Sequence, residues 1–306
     1  MKAIRIHSFG GPEVLSLEDI NRPQPADGEV VIKVRAAGVN PVDYKIRGGS
    51  MKGDITLPTT LGRDVSGVVE AVGRGVKGTE VGDEVYAFLG SHSGGYAEFA
   101  VAKAEEMAPK PASLDYVHAA AVPLAATTAW QALFDHGKLQ RGQRVLIHGA
   151  GGGVGHFAVQ FAKARGATVI ATGAPEDMEL LRRLGADEVI NYEKERFENR
   201  AKDIDLVIDL IAGDTQERSW NVLKDGGKII STLKPPSEQK AAEHHAKAEA
   251  FYAEPRRDEL IEIGRMIDAG KVSVVVEKTF PLARARLAHE KMESEHSRGK
   301  LVLEVA

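Results

Sequence analysis

Apolar and polar positions alternate along the first hundred residues. Val30, Ile32 and Val34 interleave with Val31, Lys33 and Arg35, which predicts a half-buried strand after the turn at Asp27-Gly28. Asp64–Val72 and Glu84–Phe88 follow with the same character, the second introduced by Gly82-Asp83, and Tyr96–Ala102 is entered through Gly94-Gly95. Strand after strand with few helices predicts a small β-barrel-like domain. From Leu114 the pattern changes, and Val117–Phe134 reads as alanine-rich helix interrupted at Pro123. An alternating series comes next. Strands are expected at Arg144–His148, Thr168–Thr172, Glu188–Asn191, Asp205–Leu210 and Lys228–Leu233, with helices at His156–Arg165, Glu176–Leu184 and Thr215–Leu223. That order predicts a parallel, doubly wound sheet. Ser237–Ala250 reads as a polar surface helix and Arg257–Ala269 as an amphipathic helix stopped by Gly270. Val272–Val276, a helix over Ala283–Ser294 and a strand over Lys300–Val305 complete the chain.

The stretch RVLIHGAGGGVG (144–155) joins a short apolar strand to a helix through a glycine cluster. Ala150, Gly152 and Gly155 take the three positions of GxGxxG, with alanine replacing the first glycine. A Cβ at Gly152 would hold the backbone away from a pyrophosphate, and Gly155 lets the helix lie close on the strand. The new helix presents free N–H groups to phosphate. A glycine-rich surface turn is the bland alternative, but strand and helix stand correctly on both sides. Candidate nucleotide contacts are therefore Ala150, Gly152, Gly153, Val154 and Gly155, with Gly173 at the end of the second strand.

At 306 residues the chain has room for two domains. A net charge of −4 with no basic run argues against a nucleic-acid surface. The absence of cysteine removes disulfides, thiolate nucleophiles and cysteine-containing zinc sites. The opening MKAIRIHSFGGPEV lacks the apolar core of a signal peptide, and Ala119–Trp130 is too short to span a bilayer, so a cytoplasmic address is expected.

Several blocks in register resemble one family: AAGVNPVDYKIRGG (36–49), LGRDVSGVVEAVG (61–73), VGDEVYAF (81–88), GGYAEF (94–99), VPLAATTAWQAL (122–133), LRRLGADEVINY (181–192) and GKLVLEV (299–305). The chain resembles the zinc-less branch of the medium-chain dehydrogenase/reductase superfamily, the quinone oxidoreductases, with NPVDxK and GKVSVVVEKTFPL nearest to its enone reductases. The resemblance implies an α/β architecture with a GroES-like β-barrel substrate domain (1–115 and 271–306) and a Rossmann domain with a doubly wound parallel sheet (116–270). It places the active site in the cleft. It also sets Asn40 where zinc-binding relatives carry cysteine and Arg63 where they carry histidine; neither is a zinc ligand, so no metal is expected.

Without a Lewis acid, hydride addition to an electron-poor quinone or enone is easier than alcohol oxidation, and the developing enolate needs hydrogen-bond donors and a proton. The resemblance puts Asn40 near a nicotinamide, Thr128 beside the cofactor and Tyr192 on its adenosine side. Tyr44 and Lys45, just after the NPVD turn, can donate toward an oxyanion; their ordinary alternatives are a packed tyrosine and a surface lysine. Water or a ribose hydroxyl can serve as proton source instead. His289, Glu293 and His296 share helical spacing, for which solvated polar residues are a better reading than a metal site. His148 and His156 are expected to fill structural slots.

Thr172-Gly173-Ala174 ends the second strand without the carboxylate that would bind an NAD ribose. NADPH is therefore expected, with NADH possible. Glu176 and Asp177 argue the other way as acids close to a phosphate, where Asp177→Lys is expected to tighten NADPH and spare NADH. Phe251-Tyr252-Ala253 reads as an exposed edge strand, implying a homodimer. The partners expected are a small quinone or enone and no nucleic acid or membrane. Another small carbonyl substrate, or a cofactor-binding protein with little turnover, remains the alternative. Loops 48–60 and 234–254 are expected to shape substrate choice.

Overall fold

The computed structural model describes residues 1–50, 55–295 and 297–305. The chain divides into two compact units, one of 1–127, 254–270 and 274–306, the other of 128–253 and 271–273. In the first unit the chain lays down β1 (Lys2–Ile6), β2 (Ser16–Asp19), β3 (Glu29–Val39), helix α1 (Pro41–Arg47), β4 (Thr59–Thr60), β5 (Asp64–Val72), β6 (Glu84–Phe88), β7 (Phe99–Lys103) and β8 (Met107–Pro109). Helices α2 (Tyr116–Ala120) and α3 (Pro123–Trp130) follow, separated at the proline as its missing N–H requires, and the division between the units falls within α3, after Thr127.

The second unit holds β9 (Arg144–His148), α4 (Gly155–Arg165), β10 (Thr168–Gly173), α5 (Met178–Arg183), β11 (Glu188–Asn191), β12 (Ile204–Asp209), α6 (Gly213–Ser219), β13 (Leu223–Ser231), α7 (Glu238–Glu243) and β14 (Lys247–Ala250). The chain then returns to the first unit with α8 (Arg257–Asp268), β15 (Val276–Pro281), α9 (Ala285–Ser294) and β16 (Lys300–Glu304).

The second unit's sheet is parallel throughout, in the order β11-β10-β9-β12-β13-β14. Leu146, Ile170, Ile190, Val207 and Ile229 are buried at its centre. Each such side chain removed from water contributes about 1.5–3 kcal/mol before entropy is counted. In the first unit the larger sheet runs β15-β16-β3-β5-β6-β8, with β7 also paired to β3. One edge of the long β3 therefore carries two partners, β7 along Glu29–Lys33 and β16 along Ala36–Val39. Val31 is buried like its neighbours, so the half-buried pattern holds only at Lys33 and Arg35. The Tyr86 hydroxyl donates to the Leu260 carbonyl at 2.5 Å, which anchors α8 on this unit.

Two expectations fail around residue 250. The polar helix expected over Ser237–Ala250 stops at Glu243, and Lys247–Ala250 becomes the sixth parallel strand. Helix propensity of an alanine-rich tetrapeptide is a few tenths of a kcal/mol per residue, and a ladder of backbone hydrogen bonds to β13 overrides it. The strand expected at Phe251–Ala253 is absent; those residues follow the sheet edge unpaired as strand, with Phe251 stacked on His136 at 4.2 Å. Among the described residues no helix is long and apolar enough to cross a membrane.

Candidate active site

In the second unit the turn between β9 and α4 takes the shape that its glycines allow. Gly149 has φ +69°, a conformation that a side chain disfavours. A Cβ on Gly155 would lie 2.3 Å from the Gly149 oxygen and 2.5 Å from the Ala150 Cα, so the helix packs on the turn only with glycine there. Gly152 is different. Its φ is ordinary, and a Cβ would meet nothing nearer than the Gly149 oxygen at 3.5 Å. The fold leaves space over Gly152, the space a pyrophosphate needs to reach the backbone. Ala150, fully buried, donates its N–H to Thr172 O at 3.1 Å and ties the turn to the end of β10. The turn thus fits a dinucleotide on its own geometry.

His148 and His156 fill structural slots, as expected. The Ser219 hydroxyl donates to Thr215 O, so Ser219 accepts from His148 Nε2 at 3.1 Å, and His148 Nδ1 accepts from Thr172 Oγ1 at 3.1 Å. Burial pushes the His148 pKa down to about 4, leaving it neutral. His156 Nδ1 donates to Gly152 O at 3.1 Å and braces the turn. Thr128 is buried in α3. Gly173 lies under Leu181 and Asp177, while Tyr192 is exposed and donates its N–H to Gly173 O at 3.4 Å.

Asp177 departs from its expected place. It is fully buried, accepts from Ala174 N–H at 3.1 Å, and lies where a Cβ on Gly151 would be 2.4 Å from its carboxylate. It is a brace for the glycine turn and not an exposed acid beside a phosphate. Asp177→Lys would force a longer cation into that closed space, so the expected clean gain in NADPH affinity is withdrawn. Glu176, Glu179, Arg182 and Arg183 are the exposed charges of this segment.

In the first unit Asn40 follows the end of β3 and caps the start of α1. Its backbone N–H donates to Asp43 Oδ2 at 2.8 Å, and its side-chain Nδ2 donates to Asp64 Oδ2 at 2.8 Å. Lys300 Nζ, buried, donates to Val39 O at 3.1 Å, to Asn40 Oδ1 and to Asp64 Oδ2 at 3.4 Å. Behind this group runs a second buried chain. Arg47 donates to His289 Nδ1 at 2.9 Å and in a fork to Glu293 at 2.7 and 2.8 Å. His289 Nε2 then donates to the Tyr96 hydroxyl at 3.3 Å, which donates to Asp43 Oδ2 at 2.8 Å. Burial pushes Asp43 up to about 6, against the hydrogen bonds from Asn40 and Tyr96, and pushes His289 down to about 3, assisted by the Arg47 charge.

His289 is therefore a buried partner of Arg47 and not a solvated residue, whereas Glu293 pairs with the same arginine from the exposed face of α9; His296 lies outside the described residues. Tyr44 and Lys45, next to Asp43 on α1, are half-buried, and neither side chain makes a hydrogen bond among the described residues. A zinc ion does not fit this donor set. Asn40 Oδ1 faces an ammonium, and Arg63 contributes a second positive charge, felt by Asp43 and Glu106. Among the described residues no cluster of three histidine or acidic side chains could hold a metal. Lys300, Asp64 and Asp43 escaped the sequence reading, although each lies inside a block that carries the family resemblance.

Comparisons agree with this picture. An alcohol dehydrogenase GroES-like domain matches residues 26–112 and a zinc-binding dehydrogenase domain matches 184–303. A quinone oxidoreductase of Rattus norvegicus is 36% identical over 98% of this chain and 96% of its own. A mitochondrial NAD(P)H oxidoreductase of Mus musculus is 38% identical, covering 100% of this chain and 89% of its own. Among solved structures, the quinone oxidoreductase of Coxiella burnetii superposes with TM-score 0.94 at 37% identity, covering 100% and 99% of the two chains. The Escherichia coli quinone oxidoreductase in complex with NADPH gives 0.88 at 30% identity over 99% and 100%. The chain belongs to the medium-chain dehydrogenase/reductase superfamily, in its zinc-less quinone oxidoreductase branch.

Proposed function

We propose that the protein is an NADPH-dependent reductase of quinones or enones that works without a metal. The observation that carries the reading is the open position over Gly152 in a turn where Gly151 and Gly155 are closed by their own packing. Ala150, Gly152, Gly153, Val154 and Gly155 hold the pyrophosphate, Gly173 and Tyr192 line the adenosine side, and Asn40 and Thr128 attend the nicotinamide. When bound, the cofactor supplies a hydride. The chain's part is to orient the reactants and to offer donors where charge develops on the substrate oxygen. Tyr44 and Lys45 are the donors nearest in sequence to Asn40, and their half-exposure leaves both able to turn toward a substrate. NADPH is favoured over NADH because the end of β10 offers no carboxylate to a ribose hydroxyl, and this outweighs the negative charges of Glu176 and Asp177, both of which are felt at Tyr192. Relatives described as quinone oxidoreductases, one solved with NADPH, support the substrate class and the cofactor.

Loss of the reduced-nicotinamide absorbance band from NADPH with 1,4-benzoquinone or a simple enone, and its appearance from NADP+ with ethanol, test the reaction. Quinone or enone should turn over, ethanol should not, and prior chelator treatment should leave the rate unchanged. Ethanol oxidation without enone reduction, or a chelator-sensitive rate, would reject the proposal.

We also propose a homodimer. The outer edge of β14 has no strand partner among the described residues, and the adjoining Tyr252 is 83% exposed. Such an edge presents unpaired N–H and C=O groups and is a ready template for a second copy. Sedimentation at micromolar concentration should give twice the chain mass of 32.9 kDa. A monomer there would refute the dimer.

A further inference from the structure

Three neighbouring strands of one sheet bring Lys300, Asn40 and Asp64 together. The registers Leu301↔Val39 and Gly38↔Asp64 set the start of β16 and the start of β5 on either side of the end of β3. An ammonium has three donors and no acceptor, and Lys300 uses all three, on Val39 O, Asn40 Oδ1 and Asp64 Oδ2. The Asn40 oxygen must therefore be the atom that faces Lys300. Asp64 accepts on both oxygens, from Leu124 N–H at 2.7 Å on Oδ1 and from Asn40 Nδ2 at 2.8 Å on Oδ2. A flipped amide would set N–H against ammonium and C=O against carboxylate, exchanging two bonds for two repulsions. Asn40 thus has one orientation. Its Nδ2 keeps a second hydrogen that finds no acceptor among the described residues.

We infer that Lys300 is a positioning residue which, with Asp64, locks the Asn40 amide so that position 40 offers a carbonyl oxygen a donor and never an acceptor. The inference rests on the reading that places Asn40 at the reacting end. The carbonyl is either the carboxamide of the nicotinamide or the oxygen of the quinone or enone. On the quinone or enone oxygen a fixed donor favours the negative charge that develops in the reduction, and on the carboxamide it holds the nicotinamide in one orientation. A buried ion pair is poor evidence for stability as such, and its better-attested use is to impose one arrangement. Here the arrangement imposed is the sense of an amide.

The double variant Asn40→Asp/Asp64→Asn tests this by exchanging the two groups. Asp at position 40 faces the Lys300 ammonium and accepts from the new amide at position 64, which still accepts from Leu124. Only the long 3.4 Å bond from Lys300 to position 64 is given up, and the net charge of the trio is kept. What changes is that position 40 now presents an acceptor. We expect thermal stability close to wild type and a loss in kcat/KM for 1,4-benzoquinone on the order of 10²-fold or more, the scale of removing one oriented oxyanion donor. Asn40→Ala merely withholds the donor and should lose less. A purely structural role predicts the reverse order, because the exchange keeps the net charge and every bond of the network but the 3.4 Å one from Lys300 to position 64, whereas alanine removes both bonds of the Asn40 amide. NADPH Kd from fluorescence separates the two oxygens: it weakens with the exchange if the partner is the carboxamide and is unchanged if the partner is the substrate.

Should the double variant fail to fold, Lys300→Met carries the test. Since Lys300 acts through Asn40, Asn40→Ala/Lys300→Met should lose no more kcat than Asn40→Ala alone. Exchange within threefold of wild type, exchange ranking above Asn40→Ala, or additive losses in the Lys300 cycle would each overturn the inference. Wild-type protein that binds NADPH yet reduces no quinone or enone would instead overturn the reading beneath it.

Discussion

Gly152→Ala should leave the fold intact and weaken NADPH binding on the order of 10²-fold. The new methyl meets no protein atom nearer than 3.5 Å and requires no change of backbone region, so stability should stay within about 0.5 kcal/mol of wild type. The same methyl stands where a pyrophosphate must approach the turn. Holding the phosphate off forfeits charge-assisted hydrogen bonds worth about 1.5–3 kcal/mol each, and about 2.7 kcal/mol is 10²-fold in Kd. Gly155→Ala should fail in the opposite way. Its methyl would lie 2.3 Å from the Gly149 oxygen, so helix and turn must part, at a cost of about 1–3 kcal/mol or more. Melting curves together with NADPH titration by fluorescence check the pair. A Gly152→Ala protein that binds NADPH as wild type does would remove the nucleotide from this turn.

Acidification from pH 7 to 5 should cost the protein about 2–3 kcal/mol through three buried groups. His148 and His289 are neutral when folded, with pKa values near 4 and 3, and recover an ordinary pKa near 6.5 on unfolding. Between those limits the unfolded chain binds more protons, so their contribution is complete above pH 6.5 and is lost as the pH falls. At pH 5 each has lost about 2 kcal/mol, at about 1.4 kcal/mol per pH unit. Asp43 has the opposite sign. Its folded carboxyl, pushed to about 6, binds a proton before the unfolded one does near 3.8, so acidification relieves a penalty of about 1.4 kcal/mol by pH 5. His289→Gln isolates one component, because glutamine can accept from Arg47 and donate to Tyr96 without titrating. Urea unfolding at pH 7 and 5 should show the variant losing about 2 kcal/mol less than wild type. Equal losses in both proteins would show that His289 does not titrate on unfolding.

Much of the fold was legible because secondary structure is a local property. Period-two alternation and flanking glycines located Asp64–Val72, Glu84–Phe88, Arg144–His148 and Glu188–Asn191 at their observed ends. The strand, glycine turn and helix around Gly152 were equally plain, since the steric demand of that turn is met by residues adjacent in the chain. Lys247–Ala250 was missed for the complementary reason: nothing in an alternation of lysine, glutamate and alanine records that β13 waits alongside. Asp177 was misplaced because its burial depends on Gly151, 26 positions earlier, which only the folded turn brings against it.

The sequence by itself determined the two kinds of sheet and the nucleotide turn, each of which follows from residue type and short spacing, while the resemblance to zinc-binding relatives marked Asn40 and Arg63 as lost ligand positions. Only the tertiary structure decided the surroundings of Asn40. Lys300 lies 260 positions from Asn40 and 236 from Asp64, and His289 lies 242 from Arg47. Periodicity reports which face of an element is apolar, but not which distant strand end will lie beside it. Whether a buried lysine or histidine has a partner, and so what charge and orientation it imposes, is settled by sheet register. That register is set by long-range packing, so the pairing of Lys300 with Asn40 was decided only when β16 took its place against β3.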